Sequence, residues 1–137
     1  MKFINKQLAL KLKDKGFDKP CFGYYQEDEF ILNRTSIHLP FGGNISDTMI
    51  LHQGENDIVD VPTVDQVLEW LREEKDIDIV IEPIDRNTIF MGGEKYILAI
   101  YFCGKRDYKI HKDNNDKFVK WEDACIAGIE YVINNLI

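Results

Sequence analysis

Between Thr63 and Pro83 the spacing of apolar residues changes from helical to alternating within two positions, which fixes a helix followed directly by a strand. Val64, Val67, Leu68 and Leu71 fall at i, i+3, i+4 and i+7 and make one apolar stripe on a helix over 64–75. Thr63 can cap its free amides, and Gln66 completes a capping box. Trp70 lies off the centre of the stripe, where it either widens the buried face or presents an aromatic at the rim. Ile77, Ile79 and Ile81 then alternate with Asp76, Asp78 and Glu82, the pattern of a half-buried strand that stops at Pro83.

Two further helices bracket the chain. Residues 5–15 are rich in Ala, Leu, Lys and Gln, and Gly16 stands where a left-handed C-terminal cap is wanted. Residues 121–136 put Trp121, Cys125, Ile129, Val132, Ile133 and Leu136 on a wide apolar face, with Glu122 and Asp123 in the first turn. Gly128 in mid-helix implies close packing against a sheet, and no N-cap is evident.

The intervening stretches read as strands. Cys21–Tyr25 is aromatic and follows Pro20. Short strands are expected near Phe30–Leu32, Ile37–Leu39, Met49–Leu51 and Ile58–Val61, with Phe41-Gly42-Gly43-Asn44 as a turn. A hairpin is expected between Thr88–Met91 and Lys95–Cys103 around Gly92-Gly93-Glu94, its second strand apolar on both faces as a central strand would be. Gly104–Asp107 would turn the chain and Tyr108–His111 return it. With 137 residues, 45% of them hydrophobic, the chain is long enough to bury one core. The expectation is a single α+β domain over 1–137, an antiparallel or mixed sheet covered by about three helices. Residues 26–60 are read as part of the sheet or as a β-rich insertion or flap, and the C-terminal half runs α-β-β-β-α.

Charge is distributed in blocks. Residues 1–20 carry six Lys against two Asp, residues 21–94 four basic against sixteen acidic, and residues 95–137 seven against six. The overall charge of -7 disfavours indiscriminate attraction to phosphate backbones or anionic membranes. The basic beginning and acidic middle are suited to pair with each other. No run approaches the roughly 18 apolar residues of a membrane span, and the opening segment lacks the core of a signal peptide. The three cysteines, Cys21, Cys103 and Cys125, form no C-x-x-C pair and are read as free thiols in a reducing cytoplasm.

Reactive groupings are sparse. His38, His52 and His111 show no metal-ligand spacing, and Ser36 near His38 lacks an orienting acid. Asp113-Asn114-Asn115-Asp116 opens like a calcium loop, but Phe118 stands where that loop needs Gly and Ala124 where it needs Glu. Glu27-Asp28-Glu29 and Glu55, Asp57 and Asp60 are read as solvated faces. The Gly pairs at 42–43 and 92–93 match no phosphate loop and are read as turns. No catalytic residue, metal or cofactor is therefore assigned.

The segments KGFDKPCFGYY (Lys15 to Tyr25), VPTVDQVLEWLREE (Val61 to Glu74), IVIEP (Ile79 to Pro83) and WEDACIAGIEYVINNLI resemble a family of small uncharacterised proteins of anaerobic gut bacteria and their phages and prophages. The resemblance covers under half the chain. It implies a cytoplasmic, mobile-element setting and an α+β fold, and carries over no catalytic residue.

Three functional readings follow. The first is a non-catalytic accessory module that binds another protein through the acidic middle or a sheet edge, with Tyr24, Tyr25 and Trp70 as the recognition aromatics. A sheet edge would also permit homodimers. The second is a nucleic-acid-binding module, because the α-β-β-β-α order is similar to the double-stranded-RNA-binding domain; its contacts would be Lys105, Arg106 and Lys109. The third is a small enzyme whose site is assembled from distant residues.

Overall fold

In the computed structural model, residues 2–39, 42–53, 57–83, 96–102, 117–118 and 120–137 are described. The fold class is α+β. The chain divides into two compact units, Met1–Thr63 and Val64–Ile137. Among the described residues no helix is long and apolar enough to cross a membrane.

The first unit begins with helix α1, Lys6–Asp14. Asn5 caps it: its Oδ1 accepts the Leu8 N–H at 2.8 Å, which satisfies one of the amides that a helix start leaves free. The end is equally well marked. Gly16 takes φ 96, the Gly16 N–H donates to the Lys13 carbonyl and the Phe17 N–H to the Leu12 carbonyl. That pair of bonds is the Schellman arrangement, completed by the burial of both Phe17 and Leu12. Glycine is required here because a side chain at that φ would be strained.

α1 packs on strand β5, Ile58–Val61, the last strand of a three-stranded antiparallel sheet. Its other members are β1, Gly23–Gln26, and β2, Glu29–Leu32, in the order β2-β1-β5. The register sets Tyr24 opposite Ile31 and Asp60, and Tyr25 opposite Phe30 and Val59. Ile4, Leu8, Leu12, Val59 and Val61 are buried in this unit. The start of the chain is tied down by a bridge between Phe3 and Thr63 and by the Ile4 N–H on the Pro62 carbonyl.

A two-stranded ribbon, β3 (Arg34–Leu39) with β4 (Gly42–Asp47), leaves the sheet at Asn33. Asn33 is a buried polar residue bonded at three groups: its N–H donates to the Phe22 carbonyl, its carbonyl accepts from the Thr48 N–H, and its Nδ2 donates to the Cys21 carbonyl. Burial of an amide is stable only when so satisfied. The ribbon corrects one sequence expectation: Gly42 and Gly43 are strand residues opposite Leu39 and His38, not a turn. Pairing with β3 overrides the turn preference of the glycine pair. Of the expected strand Met49–Leu51, Ile50 alone makes a bridge, to Cys21.

In the second unit, α2 (Val64–Lys75) leads through Asp76 at φ 55 into β6, Ile77–Pro83. β7 (Tyr96–Phe102) lies between β6 and β8 (Lys117–Phe118), and α3 (Trp121–Asn135) closes the order α-β-β-β-α. The apolar two-sided strand is central, as its composition requires. β7 pairs with β6 along its length and with Lys117–Phe118 at Tyr96 and Ile97. Gly92, Gly93 and the segments Thr88–Met91, Gly104–Asp107, Tyr108–His111 and Asp113–Asp116 lie outside the described residues.

α2 packs on β6 and on α3, and α3 on all three strands. The buried set on α2 is Val64, Val67, Trp70 and Leu71. The stripe is thus turned toward Trp70 and away from Leu68, which is half-buried. α3 buries Ala124, Cys125, Gly128, Ile129, Val132 and Ile133, whereas Trp121, expected on that face, is 38% exposed. Trp121 occupies the first helical residue, where the face is not yet covered.

Gly23 is held by a cross-strand aromatic. A Cβ at this position would lie 2.6 and 2.7 Å from Cζ and Cε2 of Phe30, whose ring also meets Phe3 at 4.8 Å between centroids. A ring covering a strand glycine compensates for its missing side chain. Gly23→Ala is expected to cost roughly 1 kcal/mol by pushing the Phe30 ring aside, yet to be neutral or stabilising in a Phe30→Ala background, where alanine is simply the better strand residue. Urea unfolding of the four proteins measures the coupling; strictly additive effects would refute the contact.

Candidate functional site

Alternation along β1 sends Tyr24 and Tyr25 to opposite faces of the sheet, and each face gathers a different chemistry. On the Tyr25 side the partners are aromatic. Tyr25 lies 5.5 Å from Phe30 between ring centroids, and Phe30 is 36% exposed.

β2 bounds the sheet on this side, and its hydrogen-bonding direction can be read from the register. The hairpin turns through two residues, Glu27 and Asp28, so the Gln26/Glu29 and Tyr24/Ile31 pairs exchange ladder bonds. The Asn33 N–H on the Phe22 carbonyl continues that alternation. The backbone N–H and C=O of Phe30 and Leu32 are consequently turned to the outer edge, which has no strand partner among the described residues. The turn itself is acidic. Lys6 answers part of that charge, donating to the Glu27 carbonyl and pairing with Asp28 at 3.4 Å. This is the expected pairing of the basic beginning with the acidic middle.

The Tyr24 side is polar. His52 and Asp60 form a double contact: the His52 backbone N–H donates to Asp60 Oδ2 at 2.8 Å, and its Nδ1 meets Oδ1 at 2.6 Å. Their side chains are only 14% and 12% exposed. Asp60 is placed by the β5 ladder directly beside Tyr24, and Tyr24 packs against the His52 ring at 4.7 Å. Both carboxylate oxygens are thereby engaged by His52. The double contact fixes the orientation of the imidazole ring beside Tyr24.

His52 and Asp60 line a cleft of ≈ 40 Å³, together with Lys13, Lys19, Ala9, Phe17, Leu51 and Ile58. Nearby Cys21 is no nucleophile. Burial first, and then the negative charge of Asp60, push its thiol up to about 12, and its Sγ is directed to the Lys19 carbonyl at 3.4 Å. A thiol so protonated does not attack an electrophile. The arrangement is a histidine oriented by an acid. Among the described residues no group of three or more His, Cys, Asp or Glu could hold a metal ion.

This pairing corrects two sequence readings: His52 is not isolated, and Asp60 is not on a solvated face. The two residues stand eight positions apart, a separation that is no recognised motif spacing, so no motif in the sequence announces the contact. One signal was present, an aspartate at an alternating position of the apolar strand Ile58–Val61. The third recognition candidate, Trp70, belongs to the second unit, where it is 4% exposed with the Lys75 amino group 5.4 Å from its ring centre. Lys105, Arg106, Lys109 and His111 lie outside the described residues. No protein-family model, curated protein or solved structure matches the chain.

Proposed function

We propose that the protein is a non-catalytic accessory module that binds another protein, taking an extended segment of its partner as an added strand along β2. The observation that carries this reading is the outer edge of β2, where the outward backbone groups of Phe30 and Leu32 stand beside an exposed aromatic ring and an acidic turn. Strand addition draws affinity from main-chain hydrogen bonds and specificity from flanking side chains. Glu27, Asp28 and Glu29 favour a basic partner segment over a second copy of this chain, because two such edges would bring like charges together. The mobile-element setting rests on the four resembling segments alone.

The test is affinity purification from cells of the organism that encodes the chain, comparing the wild type with Phe30→Lys and with Glu130→Lys, an exposed position on α3. Proteins retained by the wild type and by Glu130→Lys but lost from Phe30→Lys support the reading. Identical captures by all three proteins, a self-associated wild type with no other partner, or no capture at all would refute it.

A further inference from the structure

Granted strand addition at β2, on which this inference rests, the side chains along the edge dictate what the added strand carries. Alternation places Phe30 and Leu32 on the Tyr25 face and Glu29 and Ile31 on the Tyr24 face. The first face is apolar out to the edge. With no side chain at Gly23, the Phe30 ring leans inward over that residue toward Phe3, and 36% of Phe30 is left exposed. The second face ends in charge. Glu29 is exposed, and its side chain makes no hydrogen bond or ion pair among the described residues; of the run Glu27, Asp28 and Glu29, Lys6 answers Asp28 alone. The acids therefore lie at the start of β2 and the apolar pair toward its end. Direction follows from the sheet. β2-β1-β5 is antiparallel throughout, and parallel strands belong to sheets covered on both faces, which the exposed Glu29 argues against. An antiparallel strand meets Leu32 first, then Ile31, Phe30 and Glu29, and reaches the acidic turn with its C-terminal end.

We propose that the occupant of the β2 edge is an antiparallel segment of a partner protein with apolar side chains at two alternate positions, opposite Leu32 and Phe30, followed at once by lysine or arginine opposite Glu29. The residues opposite Phe30 and Leu32 exchange main-chain bonds with them and share their face, so a β-branched side chain opposite Phe30 packs against the aromatic ring. The basic residue next in sequence falls on the other face by alternation and pairs with the free Glu29 carboxylate. Charge complementarity thus sets direction as well as partner. The same residues in reverse order would carry their cations past Leu32 toward Asn33 and Arg34, away from the acids.

Two hexapeptides of one composition test the order: TVTVKK and its reverse, KKVTVT, both acetylated and amidated so that only the lysines are charged. Each is titrated into the full chain at constant ionic strength while the backbone amide signals of Phe30 and Leu32 are followed by NMR. The expected result is a saturable shift of both amides with TVTVKK and binding of KKVTVT about fivefold weaker. In Glu29→Lys, an exposed position whose substitution spares the fold, TVTVKK is expected to bind about tenfold more weakly. Equal affinity of the two peptides, a preference for KKVTVT, or an unchanged affinity in Glu29→Lys, with those amides still shifting, would overturn the inference and leave strand addition standing. Amide shifts that follow protein concentration without peptide would put a second copy on the edge and overturn it as well. No saturable shift with either peptide would also overturn it, and the captures by wild type and Phe30→Lys then decide strand addition separately.

Discussion

At pH 8, Cys21 and Cys125 of the native protein are expected to react with a thiol reagent about a thousandfold more slowly than in the urea-unfolded chain. Both thiols are fully buried and free. Each is raised from 9.0 to about 12, at Cys21 by burial and then the charge of Asp60, at Cys125 by burial and then the charges of Asp65 and Glu122. The thiolate is the reacting species, and three decades of lost thiolate give the expected factor. The same shift has a consequence for stability. Above about pH 9 the unfolded chain gives up thiol protons that the folded chain retains, so the unfolded state binds fewer protons and stability falls as pH rises toward 12. Labelling followed by mass spectrometry, in a Cys103→Ser background, reads the two sites separately. Labelling of native Cys21 or Cys125 within tenfold of the unfolded rate would show that the cores around them are open.

What the sequence made legible is what local spacing determines. The helix at 64–75 is marked by its periodicity and observed with those bounds, and Gly16 announces the end of α1 because few other residues tolerate its conformation. The partners of strands are another matter. Lys95–Cys103 reads as a strand, but its pairing with β6 depends on the shapes of both sheet faces, which no local spacing records. The polar site was hidden for a related reason. Asp60 reaches His52 only because β5 runs beside β1 and the chain returns from the Cys21–Ile50 bridge, so the contact depends on two separate pairings. Tyr24 and Tyr25 could be assigned to opposite faces by alternation alone, but not to a polar and an aromatic neighbourhood.

The second large effect is expected in the core of the second unit. Leu71→Ala should lower its unfolding free energy by roughly 3 kcal/mol, and Leu68→Ala by about 1 kcal/mol, although both leucines belong to the same apolar stripe in the sequence. Leu71 is 0% exposed on a helix that packs against both β6 and α3. Held from two sides, α2 cannot collapse into the space that a truncated Leu71 leaves, so the cavity term adds to the lost burial. Leu68 is only half-buried, and its place in the buried face is taken by Trp70. The two tryptophans of the chain, Trp70 and Trp121, both lie in this unit, so intrinsic fluorescence in a denaturant titration reports its unfolding. A shifted midpoint with an unchanged slope would show a loss of stability without a change in the surface exposed. Equal losses at 68 and 71 would mean that the buried face is centred on the original stripe, and the observed rotation toward Trp70 would be wrong.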